Sequence, residues 1–403
     1  MTLRDCAKTV LKAARIGRVR AFAGLRGIRA VRSRLHLPRN QALSPHHPDA
    51  TAAGINALPV DPAQTVTRPL PAMPGEREVA PIFRRAERVT FPATFVTEII
   101  DARFWGFYGG SVFARDGRLV PELSKDVWGP RLHTAFLRAR LPVPRHLPGR
   151  TLSLVTPEAS ANYHHWTVDL LPRAGLARRA GYDLGGFDHI LIKMRGLPFQ
   201  LEGLRRLGID PDSDRLIRVR DDDHFRCDAL VVPSVRDDVS LVGPGDMDFV
   251  RALFLPDPPP AASRRRLYVT RRDAAFRRVL NEHQVLLLLR EHGFEEITLS
   301  GLTVAAQARV FSEAEAVAGP NSSGLANLLF ASPGCRVIEF FAPGWVVPYN
   351  WMICARFGFP HTALVGDGPR PDPGALPRGV REDITLDLAL LRAALATLPS
   401  GNQ

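Results

Sequence analysis

The chain has 403 residues, of which 45% are hydrophobic and 23% charged, with 35 prolines. This length suits two domains with sizeable cores or one large domain. No run reaches the roughly 18 to 20 uninterrupted apolar residues of a membrane-spanning helix, and the four cysteines form no CxxC pair. The sequence therefore predicts neither an integral membrane protein nor a disulfide scaffold.

The net charge of +12 is concentrated at the start of the chain. Residues 1–40 contain eleven Lys or Arg and one acid, a net of +10, which leaves +2 for residues 41–403. A body this close to neutral argues against a broad phosphate-binding face, so no nucleic-acid partner is predicted. A nucleic-acid role would depend on the first forty residues alone.

The first two segments precede the predicted folded body. Residues 1–40 carry apolar residues at helical spacing among arginines, which predicts a basic amphipathic helix suited to an anionic membrane surface. A solvated or partner-bound helix, or an organelle transit peptide, explains the pattern as well. Residues 41–80 carry seven prolines and little periodicity, which predicts an extended linker, with the folded body beginning near Val79.

Residues 81–256 are predicted to form an N-terminal α/β domain with a β-rich start. Asp116-Gly117 lies between two short apolar runs, which indicates a tight hairpin. Strands and helices then alternate. Strands are predicted at 151–155, 189–194, 216–219 and 230–232, and helices at 163–179 and 199–207.

Residues 257–403 are predicted to form a second α/β domain, because the proline-rich run at 256–260 can continue neither a strand nor a helix. Strands are predicted at 267–270, 297–299, 316–318, 337–341 and 362–365, and helices at 282–292, 304–312, 325–331, 350–357 and 386–398. This βαβα order predicts a mostly parallel, doubly wound sheet, in which ligands bind at the carboxyl ends of the strands. The cleft between the two halves is therefore the predicted site.

The second half offers two features suited to an anionic ligand. The loop from Gly319 to Gly324 runs from a strand into a predicted helix N-terminus, where backbone N–H groups and hydroxyls can bind phosphate. Arg271 follows another strand, with Arg277 and Arg278 a few residues further on. Guanidinium groups there suit a diphosphate leaving group. An ordinary strand-to-helix turn and solvated arginines are the structural alternatives.

The first half contains the dense cluster from Asn162 to Asp169. On a helix, His165 and Asp169 stand at i and i+4, so the carboxylate can orient the imidazole of a general base. A buried histidine with Asp169 paired to Arg173 explains the spacing as well. No third ligand is nearby, so a zinc site is not predicted. The acidic triplet 221–223 is expected to be a solvated loop opposed by arginines, and no metal site is predicted there.

These motifs together resemble glycosyltransferase family 61, in particular its bacterial capsular-polysaccharide-type members. The resemblance covers roughly residues 85–365. It depends on the joint spacing of Asn162 to Trp166, Asp169 to Arg173, Tyr268 to Arg271, Arg278, Asn281-Glu282, Gln307, Phe311, Gly324 to Asn327, Phe330 and Glu339.

The resemblance implies a fold and a reaction. The fold is α/β, with two Rossmann-like domains facing a cleft, the B-type glycosyltransferase arrangement. The reaction is the inverting transfer of a hexose or pentose from a nucleotide sugar to a glycan or lipid-linked acceptor, without a cofactor or metal, in surface or capsular polysaccharide synthesis. The four cysteines form no scaffold and favour a reducing compartment, so the predicted location is cytoplasmic, peripheral to the inner face of the membrane if residues 1–40 bind lipid.

The resemblance also implies roles for individual residues. His165 or Asp169 would face the acceptor and act in catalysis. The donor would be held by Arg271, Arg278, Asn321, Ser322, Ser323, Gly324 and Glu339. The family usually has His-Gly-Ala where this chain has Asn321-Ser322-Ser323. The alternative interpretation is therefore a catalytically inactive relative that binds a nucleotide sugar or a glycan.

Overall fold

The computed structural model describes residues 29–39, 41–125, 133–234, 243–255, 265–371, 377 and 379–399. Its strands are β1 (Ile55–Asp61), β2 (Gln64–Thr67), β3 (Arg88–Phe91), β4 (Thr94–Trp105), β5 (Ser111–Phe113), β6 (Arg145–Ser153), β7 (His189–Ile192), β8 (Leu216–Arg218), β9 (His224–Pro233), β10 (Arg265–Val269), β11 (Phe294–Ile297), β12 (Ala314–Pro320), β13 (Arg336–Phe341) and β14 (His361–Val365). Its α-helices are α1 (Arg29–Arg34), α2 (Pro81–Glu87), α3 (Tyr163–His165), α4 (Leu171–Arg179), α5 (Pro198–Arg206), α6 (Pro244–Phe254), α7 (Glu282–Glu291), α8 (Val304–Ser312), α9 (Tyr349–Phe357) and α10 (Leu388–Leu395). The predicted mixed α/β fold with parallel sheets is confirmed.

The first half is built on a seven-stranded mixed sheet in the order β1-β4-β9-β6-β7-β8, with β5 paired to β4. Strands β9, β6, β7 and β8 run parallel to one another, whereas β1, β4 and β5 pair antiparallel. The predicted hairpin forms, with Gly117 at φ +85° in its turn and a bridge between Phe113 and Leu119. The parallel part of the sheet points its carboxyl ends toward one edge.

The second half is built on a five-stranded sheet in the order β11-β10-β12-β13-β14, all of it parallel. Counted along the chain this is the order 2-1-3-4-5 of doubly wound sheets. Helix α8 has the predicted bounds because the Thr303 side chain accepts a hydrogen bond from the N–H of Ala306 and so caps it. The segment predicted as a helix at 325–331 is instead a 3-10 helix, Ser323–Phe330.

The prediction that residues 41–80 form an extended linker ahead of the folded body is wrong. Strand β1 pairs with β4 at the edge of the first sheet, and Ala72 forms a parallel bridge to Thr362 in β14, at the edge of the second sheet. An edge strand needs ladder hydrogen bonds on one side only, so Pro59 is tolerated within β1. The folded body therefore begins well before Val79.

The two halves share one hydrophobic cluster, in which Trp166 and Phe254 of the first half lie with Phe311 and Phe330 of the second. Helix α6, which was not predicted, contributes to this contact, since the ring of Phe254 lies 6.0 Å from that of Phe330. The carboxylate of Glu202 accepts hydrogen bonds from the first two N–H groups of α8, at 2.6 and 2.9 Å. The halves are thus packed together through buried contacts.

Two predictions fall partly outside the described residues. Of the basic helix predicted over residues 1–40, the structure describes only α1 within residues 29–39, and residues 1–28 lie outside it. The proline-rich boundary at 256–260 also lies outside. Within the part of the chain that is described, no helix is long and apolar enough to cross a membrane.

Candidate active site

A cavity of about 280 Å³ lies between the two halves. Its walls come from the segments that follow β6 in the first sheet and β10, β12 and β13 in the second, which is the predicted edge for ligands. The described residues that line it are Asn162, His164, His165, Arg271, Phe276, Arg277, Asn321, Ser322, Ser323, Trp345, Tyr349, Asn350 and Val380.

Asn162 joins the two walls of the cavity. Its side-chain oxygen accepts a hydrogen bond from the N–H of His164 at 2.9 Å and so caps the helix that begins at Tyr163. The same oxygen accepts a hydrogen bond from the Ser323 hydroxyl at 3.0 Å. Beside it, the Tyr163 hydroxyl donates to Asn327 at 2.6 Å. These polar contacts fix the helix of one half against the loop of the other.

His165 and Asp169 make the contact that their spacing predicts, with His165 Nδ1 2.6 Å from Asp169 Oδ2. An ionised carboxylate only accepts, so Nδ1 donates and Nε2 of a neutral ring carries the lone pair. Both residues lie where α3 passes through a single π-helical turn, Trp166–Leu170, into α4. Pro172 has no N–H to donate to the preceding turn, which explains the interruption there. The geometry is that of an oriented imidazole beside a cavity.

His164, next to this pair, is held as a neutral ring. Burial, with His165 nearby, lowers its pKa to about 3. Its ring centroid lies 5.8 Å from that of Tyr349, and its Nε2 is buried without a hydrogen-bond partner among the described residues. A neutral imidazole nitrogen is thus present beside the cavity in addition to His165.

Two arginines face the cavity from the second half. Arg271 donates through Nε and Nη2 to the carbonyl oxygen of Phe276, at 3.2 and 3.0 Å. Arg277 is only 8% exposed, donates from Nη1 to the carbonyl oxygen of Val380 at 3.0 Å, and leaves its buried Nε without a partner among the described residues. Burial, reinforced by the charge of Arg271, lowers the pKa of Arg277 to about 10, and burial also lowers that of Arg271. Two partly desolvated positive charges side by side form a site suited to an anion.

The predicted site residues separate into two groups. The structure brings His165, Arg271, Asn321, Ser322 and Ser323 together around the cavity, and it holds Asp169 against His165.

The other three predicted residues do not line the cavity. Arg278 is exposed and paired with Asp383 at 2.8 Å. Glu339 is fully buried behind the wall. Gly324 packs closely, since an added Cβ would lie 2.8 Å from Cδ1 of Leu299. The geometry therefore shows no direct contact between these three residues and the cavity.

Several lining residues are not among the predicted site residues. Arg277 stands at φ +54°, a left-handed conformation that turns this arginine inward and Arg278 outward. Trp345 and Tyr349 come from the segment after β13, where aromatic residues beside Pro343 and Pro348 indicated an irregular segment at a strand end. That position was the available signal, because loops at the carboxyl ends of parallel strands carry ligand contacts.

Two of the three carboxylates in the acidic triplet 221–223 have basic partners. Asp221 forms an ion pair with Lys193, and Oδ1 of Asp223 lies 3.5 Å from Nη2 of Arg220, whose backbone N–H also donates to Asp223 at 2.8 Å. Among the residues that the structure describes, no three His, Cys, Asp or Glu side chains converge as metal ligands would.

Comparison with known protein families finds a match for the region that contains most of the residues lining this cavity. Residues 163–338 match the family model Glycosyltransferase 61. No curated protein matches the chain. The matched region contains His165, Asp169, Arg271, Arg277 and the loop 319–324, and a glycosyltransferase binds a sugar donor and an acceptor. Residues 163–338 of this chain, a little less than half of it, are therefore similar to the glycosyltransferase 61 family.

Proposed function

We propose that this protein transfers a sugar from a nucleotide-sugar donor to a hydroxyl group of an acceptor, with inversion at the anomeric carbon. The observation that carries the proposal is a cavity lined by an oriented histidine from one half and by two arginines from the other, of which Arg277 is buried and Arg271 half-buried. One wall suits proton removal and the opposite wall suits a departing diphosphate. A direct displacement needs both.

In this mechanism His165 is the general base. Asp169 accepts from Nδ1 and holds Nε2 ready to take the proton of the acceptor hydroxyl. The acceptor oxygen attacks the anomeric carbon, the bond from that carbon to the diphosphate oxygen breaks, and the diphosphate leaves with the electron pair. A single displacement of this kind inverts the configuration at the anomeric carbon.

Arg271 and Arg277 receive the diphosphate. Charge-assisted hydrogen bonds from guanidinium groups strengthen as negative charge develops on the leaving group. We assign this neutralisation to the two arginines, with no cofactor and no divalent metal. Arg277 replaces Arg278 in the predicted donor set because it lines the cavity and Arg278 does not.

The arrangement also supports the B-type glycosyltransferase architecture, with a Rossmann-like second domain that binds the donor. Its support is the 2-1-3-4-5 parallel order and the position of Arg271, Asn321 and Trp345 after the carboxyl ends of three of its strands. Whether a hexose or a pentose is transferred is decided by ligand screening rather than by the fold.

The acceptor and location are inferred from charge. Residues 1–40 carry a net +10. Each Lys or Arg near an anionic surface contributes about 1 kcal/mol of attraction. We propose that this segment holds a cytoplasmic enzyme at the inner face of the membrane, beside a glycan or lipid-linked acceptor of surface or capsular polysaccharide synthesis.

The test is a thermal-shift screen of the full chain against nucleotide sugars, followed by a transfer assay with the best ligand. A ligand at about 100 times its dissociation constant adds about 2.7 kcal/mol of stability. Arg271→Ala should weaken that ligand's binding by about 1.5 to 3 kcal/mol. Stabilisation by no nucleotide sugar contradicts the proposal. Binding without transfer or donor hydrolysis identifies the inactive, sugar-binding alternative instead.

A further inference from the structure

Behind the cavity wall, Glu339 anchors two asparagine side chains. Its Oε1 accepts hydrogen bonds from Nδ2 of Asn321 at 2.7 Å and from Nδ2 of Asn350 at 2.6 Å. Its Oε2 lies 3.0 Å from Nε2 of His361. A carboxylate that is fully buried is tolerated because these three groups donate to it.

The anchoring fixes the direction of both amides. Each amide gives its NH₂ group to Glu339, so each carbonyl oxygen is left at the opposite end of its amide plane. Asn321 and Asn350 both line the cavity. The Oδ1 atom of Asn350 is buried and has no hydrogen-bond partner in the described structure, and the same is true of the Ser322 hydroxyl.

Buried polar atoms without partners are rare in folded proteins, and a bound ligand or water is the usual explanation. Carbonyl oxygens accept hydrogen bonds and repel anions, whereas hydroxyl and amide groups of a ligand donate to them. The wall formed by Asn321, Ser322 and Asn350 therefore suits an uncharged group with several hydroxyls. The wall formed by Arg271 and Arg277 suits a diphosphate.

We propose that Asn321, Ser322 and Asn350 form the subsite for the sugar of the donor, and that Glu339 is a positioning residue that keeps the two amide carbonyls directed to that sugar. This inference rests on the proposed function, because it divides one donor site into a sugar part and a diphosphate part. It assigns Glu339 an indirect role through two asparagines.

The experiment compares two ligands that differ only in the sugar. Isothermal titration of the full chain with UDP, GDP and ADP, and with UDP-glucose, UDP-N-acetylglucosamine, GDP-mannose and ADP-glucose, identifies a pair that binds. Asn350→Ala should weaken the sugar nucleotide by about 2- to 12-fold, the effect of one lost neutral hydrogen bond, and leave the nucleoside diphosphate within about 2-fold. Glu339→Gln retains an Oε1 acceptor for both amides and should keep the affinity ratio of the unmodified protein.

The controls separate positioning from folding. Both ends of the Asn281 amide form hydrogen bonds with the backbone of Leu386, but Asn281 does not line the cavity. Asn281→Ala should therefore leave the ratio of the two ligand affinities unchanged. Glu339→Ala should lower the ratio as Asn350→Ala does, and where it does not fold, Asn350→Ala carries the test. Equal weakening of both ligands by Asn350→Ala, or no change, overturns the sugar subsite. Binding of neither ligand class by the unmodified protein overturns the proposed function itself.

Discussion

Replacing Arg277 by methionine should uncouple ligand affinity from stability. The substitution keeps a long side chain and removes a charge that is 8% exposed at the cavity. A lost charge-assisted hydrogen bond contributes about 1.5 to 3 kcal/mol, so the affinity for the nucleoside diphosphate should fall by about 10- to 150-fold. The neighbouring Arg278, exposed and paired with Asp383, gives the matched control Arg278→Met, which should leave the affinity unchanged.

The stability of Arg277→Met, in contrast to its ligand affinity, should rise or stay unchanged. Burial, with the adjacent charge of Arg271, lowers the pKa of Arg277 from 12.5 to about 10. Keeping this group charged in the folded state therefore costs about 3 kcal/mol. Methionine removes that cost, but it loses the hydrogen bond to Val380, about 1 kcal/mol, and two cation–π contacts of about 0.5 to 1 kcal/mol each, to Phe276 and Trp345.

The net expectation is a free energy of unfolding that is unchanged or about 1 kcal/mol higher in Arg277→Met. Urea denaturation measures it, and calorimetric titration with the nucleoside diphosphate measures the affinity. Full affinity in a folded Arg277→Met protein would refute the assignment of Arg277 to the anion. A loss of several kcal/mol of stability would show instead that this arginine is structural.

Three further predictions concern the proposed catalytic pair, the buried histidine and the N-terminal segment. His165→Ala should lower turnover by about 10² to 10⁴ while the melting temperature stays near that of the unmodified protein, and Asp169→Asn should lower turnover less; parallel loss of stability and activity would contradict a general base. Burial lowers the pKa of His164 from 6.5 to about 3, so between these values the unfolded chain binds a proton that the folded protein does not. The free energy of unfolding should therefore fall by about 1.4 kcal/mol per pH unit below pH 6.5. His164→Gln should reduce that slope, measured by urea titrations from about pH 7 to 5. Flotation with anionic liposomes at low salt should retain the full chain but not a chain that begins at Arg29, and equal behaviour of the two would exclude the membrane role.

The sequence predicts where the site lies better than it predicts which of two adjacent residues lines the cavity. The i, i+4 spacing of His165 and Asp169 is a helix property, so their contact could be predicted, and the position of Arg271 after a strand places it at the correct sheet edge. The choice between Arg277 and Arg278 depends on one backbone conformation, φ +54°, that a sequence of two arginines does not reveal. The strand that contains Glu339 is likewise predicted from the sequence. The contact of Glu339 with Asn350, however, depends on the packing of α9 over β13.

The proline-rich segment was misjudged for a related reason. Proline content argues against a central strand, and β1 is an edge strand whose partner, β4, lies more than thirty residues further along the chain. Its pairing depends on an open edge of a sheet that local composition cannot show.

The pairing of residues 41–80 with both sheets also affects how the protein is synthesised. Strand β1 can pair soon after β4 has been made, whereas Ala72 must wait for Thr362, 290 residues later. Contacts between residues so distant in sequence slow folding, and unpaired sheet edges are sites of aggregation. On the ribosome, residues 41–80 (the N-terminal arm) can therefore pair with the first sheet only, until nearly the whole chain has emerged. Release of a chain that stops before β14 leaves that arm without its second partner, so premature termination should yield insoluble protein rather than a folded fragment.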